Sequence, residues 1–129
     1  MLALLATLAV GHAADSDQPA IDAANTWLAL VDAGKYGDSW TSAASLFKKA
    51  VTKEQWTAQA TAARQPLGAL VSRKVSTRTA ATSLPGAPDG HYVVIQYESV
   101  FANKKSAVET VTPMLEPDGT WHVSGYFIK

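Results

Sequence analysis

Apolar residues change their spacing once along this chain, and the change divides it into two halves of different architecture. From Pro19 to Ala33, residues Ile21, Ala24, Leu28 and Val31 recur at steps of three and four, with Trp27 and Leu30 widening the stripe. That is the pattern of a helix with one buried face. Pro19 suits its first turn and Gly34 its C-terminal cap. Asp38 is placed to cap a second, shorter helix carrying Trp40, Ala43, Leu46 and Phe47, broken near Ser45. Thr52-Lys53-Glu54-Gln55 has capping-box spacing and opens a third helix through Trp56, Ala60 and Ala63, which Pro66 and Gly68 end.

After Gly68 the period becomes two and Val, Thr, Tyr and Phe become frequent, which predicts strands over 69–82, 91–102, 106–116 and 120–128. The expected class is α+β: N-terminal helices packed on a curved, four-stranded antiparallel sheet. Pro85-Gly86-Ala87-Pro88-Asp89-Gly90 separates the first two strands, and Pro117-Asp118-Gly119 has the order of a type I turn closed by a glycine bulge. That turn sets Leu115 opposite Trp121, Pro113 opposite Val123, Val111 opposite Gly125 and Glu109 opposite Phe127. For the preceding hairpin, a three-residue loop Asn103-Lys104-Lys105 gathers Phe101, Ser99, Tyr97, Ile95 and Val93 on the same apolar surface as Ala107, Glu109, Val111 and Leu115. A two-residue loop would instead set Glu98 against Glu109, so the three-residue loop is expected.

In this register Glu109 is the one acidic side chain on the inner face of the last three strands. The inner positions of the first strand, Val71, Arg73, Val75 and Thr77, add one cation. An isolated buried carboxylate costs on the order of several kcal/mol, so Glu109 must be paired, hydrogen-bonded or hydrated. Arg73, Tyr97 and the indole N–H groups of Trp27, Trp40 and Trp56 are the available donors. Two readings follow. One is an ion-pair network that fixes the helices on the sheet; the other is the polar floor of a ligand pocket with Arg73, Tyr97, Glu109 and Trp40 around it.

Composition narrows the rest. The chain has 129 residues, no cysteine, 11 basic and 11 acidic side chains and 47% apolar content, enough for one domain. There is no disulfide framework, no thiolate chemistry and no apolar run of the roughly 20 residues that span a bilayer, so no stable membrane insertion of the mature domain is expected. Residues 2–10 are apolar and Gly11-His12-Ala13-Ala14 follows, with small residues placed for cleavage after Ala13. Residues 1–13 therefore read as a signal peptide, 14–20 as a flexible lead-in and 21–129 as a single domain, periplasmic or secreted. No Lys or Arg precedes the run, which is consistent with a start upstream of Met1. Net charge is zero, and the signatures of nucleic-acid recognition are missing, so nucleic acid is not an expected partner. Charge is nevertheless uneven: residues 48–105 carry nine basic against three acidic side chains.

The run Trp27-Leu28, Trp40, Leu46-Phe47-Lys48-Lys49-Ala50, Gln55-Trp56, Pro66-Leu67-Gly68, Arg73, Leu84 to Gly90, Phe101 to Lys104, Glu109-Thr110-Val111 and Trp121 to Tyr126 resembles the bacterial family called domain of unknown function 4019. The resemblance covers nearly all of residues 21–129. Its most specific parts are the Pro-Gly-Ala-Pro-Asp-Gly loop and the final Gly-Tyr-Phe-Ile-Lys. It implies an exported protein of cystatin-like, or nuclear transport factor 2-like, cone architecture. It brings no catalytic motif. Enzymes of the wider fold place an acid or a histidine on the inner sheet wall, and Glu109 occupies a comparable kind of place, an analogy at the level of fold.

Other chemistry finds little support. His91 and His122 are the histidines left after cleavage, and alternation sets them on opposite faces, so no metal site and no cofactor is expected. No nucleophile elbow or phosphate loop is present. The four tryptophans fall on apolar stripes and read as core. Tyr92, Met114, Tyr126 and Ile128 are expected on the outer sheet face, a candidate homodimer surface. The leading expectation is a non-enzymatic domain binding a small molecule or protein partner. The alternatives are an enzyme using Glu109 with Tyr97 and Arg73 as acid or base, and a structural accessory of the envelope.

Overall fold

The computed structural model describes the backbone of residues 8–129 and the side chains of residues 17–129. Helices α1 (Leu8–Asp32), α2 (Tyr36–Thr41), α3 (Ser45–Ala50) and α4 (Lys53–Arg64) lead through a 3-10 turn to strands β1 (Leu70–Ala81), β2 (Tyr92–Phe101), β3 (Lys104–Leu115) and β4 (Trp121–Ile128). The strands form one antiparallel sheet in the order β1-β2-β3-β4. The class is α+β, and the element order is compatible with the cone the resemblance implies.

Residues 1–7 of the expected signal segment lie outside the described residues. From Leu8 the backbone is helical, so α1 begins well before Pro19 and residues 14–20, expected as a flexible lead-in, belong to it. Proline in a helix forfeits one hydrogen bond, and here the next two residues, Ala20 and Ile21, are buried and tie the turn to the core. At the other end Gly34 adopts φ 75°, with Gly34 N–H bonded to Val31 O and Lys35 N–H to Leu30 O, the paired bonds of a Schellman cap. The second predicted helix is two. Asp38 lies inside the first turn of α2 and Lys35 takes the capping position without a side-chain bond. The break falls at residues 42–44, where Ala44 N–H donates to Val123 O of β4 and the Glu116 carboxylate accepts from the Ser45 amide at 2.9 Å. The capping box of α4 forms as expected: Gln55 N–H donates to Thr52 Oγ1 and Thr52 N–H to Gln55 Oε1.

Two departures in register matter for the site. Between β2 and β3 the closing pair is Phe101 with Lys104, so the turn has two residues, Ala102 and Asn103. Their amides are held by Ala69 O and Leu67 O. Gly68, at φ 76°, permits this approach, because a Cβ there would stand 3.0 Å from the Asn103 side chain. A bulge between Ser99 and Phe101 then restores the parity the longer loop would have given, and Tyr97, not Glu98, lies opposite Glu109. Between β3 and β4 the predicted turn and the pairs Leu115 with Trp121 and Pro113 with Val123 form, but Thr112 pairs with Gly125 and Val111 with Tyr126. Pro113 has no N–H to give the ladder, and the extra residue Ser124 beside it donates its hydroxyl to Thr112 O at 2.7 Å.

That single bulge turns Tyr126 inward and Phe127 outward, where it is 59% exposed. Ile128 comes opposite Glu109 on the inner face. Tyr92 is buried beneath the β1–β2 connection, with its hydroxyl on Pro88 O. Of the four residues expected to form an outer apolar surface, Met114 and its cross-strand partner Tyr92 keep the outer face, with Tyr92 covered by the loop, while Tyr126 and Ile128 turn inward. In β1, bulges at Val71 and Ser76 displace two expected inner residues: Val71 is exposed, and Thr77 pairs with Gln96 on the outer face. Arg73 and Val75 keep their places, opposite Ser99 and Tyr97.

The core lies between α1, α2, α4 and the inner face of β2–β4. Trp27, Phe47, Trp56 and Tyr126 form its aromatic centre, with ring centroids 5.0–6.2 Å apart. Ser39, itself fully buried, accepts Trp56 Nε1–H on its hydroxyl and Trp27 Nε1–H on its carbonyl, each at 2.9 Å.

Candidate functional site

Four charged side chains converge where the C-terminal ends of α1 and α4 meet the sheet. Asp32 closes α1. Arg64 continues the inward spacing of Trp56 and Ala60 along α4 and is 5% exposed. Arg73 reaches inward from β1, and Glu109 from the middle of β3 is fully buried. Arg73 Nε donates to Glu109 Oε1 at 2.8 Å, while its two terminal nitrogens hold Asp32 at 2.7 and 2.9 Å. Arg64 Nη2 donates to Asp32 Oδ1 at 2.7 Å, and its Nη1 stands 3.9 Å from Glu109 Oε2. Two cations and two anions thus alternate in one neutral cluster.

Hydroxyls complete it. Ser99 Oγ donates to Glu109 Oε1 at 2.6 Å, and the Tyr126 hydroxyl donates to Oε2. Both carboxylate oxygens are therefore occupied, by three donors in all. The Arg64 guanidinium stacks 4.7 Å from the Phe101 ring centre, a desolvated cation over an aromatic face. Its Nε and Nη1 are the two buried side-chain nitrogens without a hydrogen-bond partner among the described residues.

Electrostatics follow from burial and pairing. Burial pushes the Asp32 carboxyl up, but hydrogen bonds from Arg73 and then Arg64 outweigh it and hold it below the usual carboxylate range. Burial opposes the charge on Arg73, and its bonds to Asp32 and Glu109 overcome this, so it is held more firmly protonated than a free guanidinium. Burial raises the Tyr97 hydroxyl to about 12, with Arg73 opposing and Glu109 adding. Tyr126 is raised further, by burial first and then by the Glu109 charge beside it.

The predicted pair Arg73–Glu109 is formed, and the other predicted contacts to Glu109 are not. Tyr97 lies directly opposite it, but its hydroxyl donates to Asn25 Oδ1 at 2.8 Å. The indoles of Trp27 and Trp56 are taken by Ser39, and Trp40 Nε1 donates to Val51 O with Lys48 6.0 Å from its ring. Sequence reasoning passed over Arg64, Asp32, Ser99 and Tyr126. The signals for two of them were present: Arg64 is eight residues from Trp56, and Asp32 is four from Leu28, each on an apolar stripe.

Chemically the cluster is closed. A general base must offer a free lone pair within reach of a substrate proton. Glu109 has no exposed surface, and neither it nor Asp32, Arg64 or Tyr97 lines any of five hollows among the described residues, although Arg73 and Ser99 border one of these and Tyr126 another. One of about 390 Å³ sits between α1 and β4 beside Thr26, Trp27, Trp121 and His122. Another, of about 630 Å³, opens on the outer face between Ser72, Lys74, Gln96, Glu98 and Lys105. No group of three or more His, Cys, Asp or Glu placed to hold a metal occurs among the described residues. His122 bonds Ser42 O and Thr120 Oγ1 at the β4 edge, and His91 is exposed. Among the described residues no helix is long and apolar enough to cross a membrane.

The model of the family described as protein of unknown function (DUF4019) matches residues 23–126. No curated protein and no solved structure matches the chain.

Proposed function

The chain belongs to the family of proteins of unknown function DUF4019, and from that premise we propose that it is a non-enzymatic, exported domain that binds a protein partner or small ligand outside its core. The observation that carries this reading is the enclosure of Glu109: a fully buried carboxylate with a donor on each oxygen, three in all, and an arginine paired to it is held as a fixture of the fold, not as a reagent. The Asp32–Arg64–Arg73–Glu109 cluster then clamps the ends of α1 and α4 to β1 and β3, and recognition falls to the surfaces the helices leave uncovered. Export is supported by the apolar run of residues 2–10 and the small residues before Ala14, which fit a periplasmic or secreted domain. The test is a thermal-shift screen of the purified protein against metabolites and peptides, repeated on Glu109→Gln and Arg73→Ala. Both variants are expected to melt earlier. Hits are expected to bind the folded variants with unchanged affinity; a hit that is chemically converted by the wild type, and left unconverted by folded Glu109→Gln, overturns the reading in favour of acid–base catalysis.

A further inference from the structure

The two edges of the sheet are treated differently. Along β4, Ala44 N–H bonds Val123 O and the α2–α3 connection runs beside the strand. Along β1, no backbone hydrogen bond among the described residues involves residues 70–81 other than those to β2. The strand is twelve residues long, and every residue from Val71 to Ala80 except Arg73 is exposed, Val71 at 66% and Val75 at 37%. A free edge of that length presents a row of unpaired N–H and C=O groups, the template for strand addition.

Charge selects the occupant. Residues 70–81 carry Arg73, Lys74 and Arg78 and no acid. Arg73 is consumed by the cluster, Lys74 reaches Glu98 only at 3.8 Å with both side chains largely in water, and Arg78 makes no salt bridge among the described residues. Lys105, two strands away on β3, shares the outer-face hollow with Lys74. A second copy of β1 laid on this edge would bring two Lys74 and two Arg78 side chains into one two-stranded ribbon that carries no acid of its own, and like charges across strands are destabilising. An extended segment rich in Glu or Asp has the opposite effect. The bulges at Val71 and Ser76 leave straight runs on either side, of which Thr77–Ala81 is the longer.

We propose that the free edge of β1 docks an extended acidic segment of a partner protein by strand addition, with Lys74 and Arg78 reading its charge. This deepens the binding-domain reading and rests on it. The experiment titrates the full chain with the synthetic peptide Glu-Glu-Thr-Glu-Glu-Thr, about six residues long to match an ordinary strand and acidic on both faces because Lys74 and Arg78 stand on opposite faces of β1, and with the peptide that has Lys in place of Glu. Site-resolved amide hydrogen exchange is followed throughout. The acidic peptide is expected to protect β1 amides between Thr77 and Ala81, to weaken as salt is raised, and to lose affinity about tenfold or more with K74E/R78E, whose positions are exposed and leave folding intact by circular dichroism. Equal binding of both peptides, indifference to charge reversal, or a wild-type dimer protected along β1 overturns the edge proposal. So does protection confined to the hollow between α1 and β4, which would leave the binding-domain reading standing; turnover that depends on Glu109 would remove that reading instead.

Discussion

Arg73 and Lys74 are consecutive residues of β1, and they meet opposite faces of the same sheet. Arg73 turns inward, is 11% exposed, and holds Glu109 at 2.8 Å and Asp32 at 2.7 Å. Lys74 turns outward, is 75% exposed, and stands 3.8 Å from a Glu98 that is itself 60% exposed. The chemistry of the two pairs is alike and their consequences are not. Inside, Glu109 and Arg64 have lost their water and Arg73 and Asp32 most of it, so the cluster must be complete to be tolerated, and removing one member strands the others. Outside, water and salt screen the pair and both side chains keep their freedom. The inner cluster is therefore read as part of the fold, and the outer cations as free to meet something else.

The largest test of that contrast removes the inner anion. Glu109→Leu leaves Arg73 and Arg64 facing a hydrocarbon and Ser99 and Tyr126 without their acceptor. The expected cost is about 3–5 kcal/mol in chemical denaturation, the range for breaking a buried pair from one side. A loss under about 1 kcal/mol, the ordinary value for a surface pair, would show that water reaches the cluster and that the two faces do not differ as described.

The inner face should also answer to pH where the outer does not. Asp32 is held below its unfolded value of 3.8, so the stability it contributes is present above that pH and is lost as pH falls through its folded value. Tyr97 is raised from 10.0 to about 12, so its contribution is intact below pH 10 and is lost as pH rises towards 12. Denaturation midpoints measured across both windows should fall at each end, and Asp32→Asn should flatten the acid limb.

Ser39→Ala probes the neutral part of the same interior. It strips Trp56 Nε1–H of its acceptor while Trp27 keeps the Ser39 carbonyl. The expected cost is about 1–3 kcal/mol, for one buried donor left unsatisfied. Because neither partner titrates, this cost should be the same at pH 4 and pH 7, which separates it from the charged cluster only a few residues away.

Most of the fold was legible because it depends on periodicity, and the site was legible only in part because it depends on single-residue insertions. The inner parity of β2 and β3, and with it the meeting of Arg73 and Glu109, follows from alternation and survives even a wrong loop length, since the Ser99–Phe101 bulge compensates for the shorter turn. Tyr126 did not survive. One bulge next to Pro113 reverses every residue after it, and the missing N–H of that proline was the visible warning. Arg64 and Asp32 were hidden by the habit of reading charged residues at helix ends as solvent-facing, although their spacing placed both on the buried stripe. The helix caps at Gly34 and Thr52 were readable because they are local, with partners within five residues.

The smallest expected effect on stability is on the outer face, and it joins the two halves of the comparison. Glu98→Gln removes the one carboxylate near Lys74 and should change stability by less than about 0.5 kcal/mol, since exposed pairs at such distances contribute little. If Lys74 serves to read a partner's charge, releasing it from Glu98 should tighten the acidic peptide on β1 by about two- to threefold at low salt, with the gain disappearing as salt is raised. Calorimetric titration of the variant beside the wild type measures both quantities on one preparation. A variant that loses stability as the inner substitutions do would place Glu98 in the frame of the fold, and one that binds the peptide more weakly would mean that Glu98 itself contributes to the docking edge.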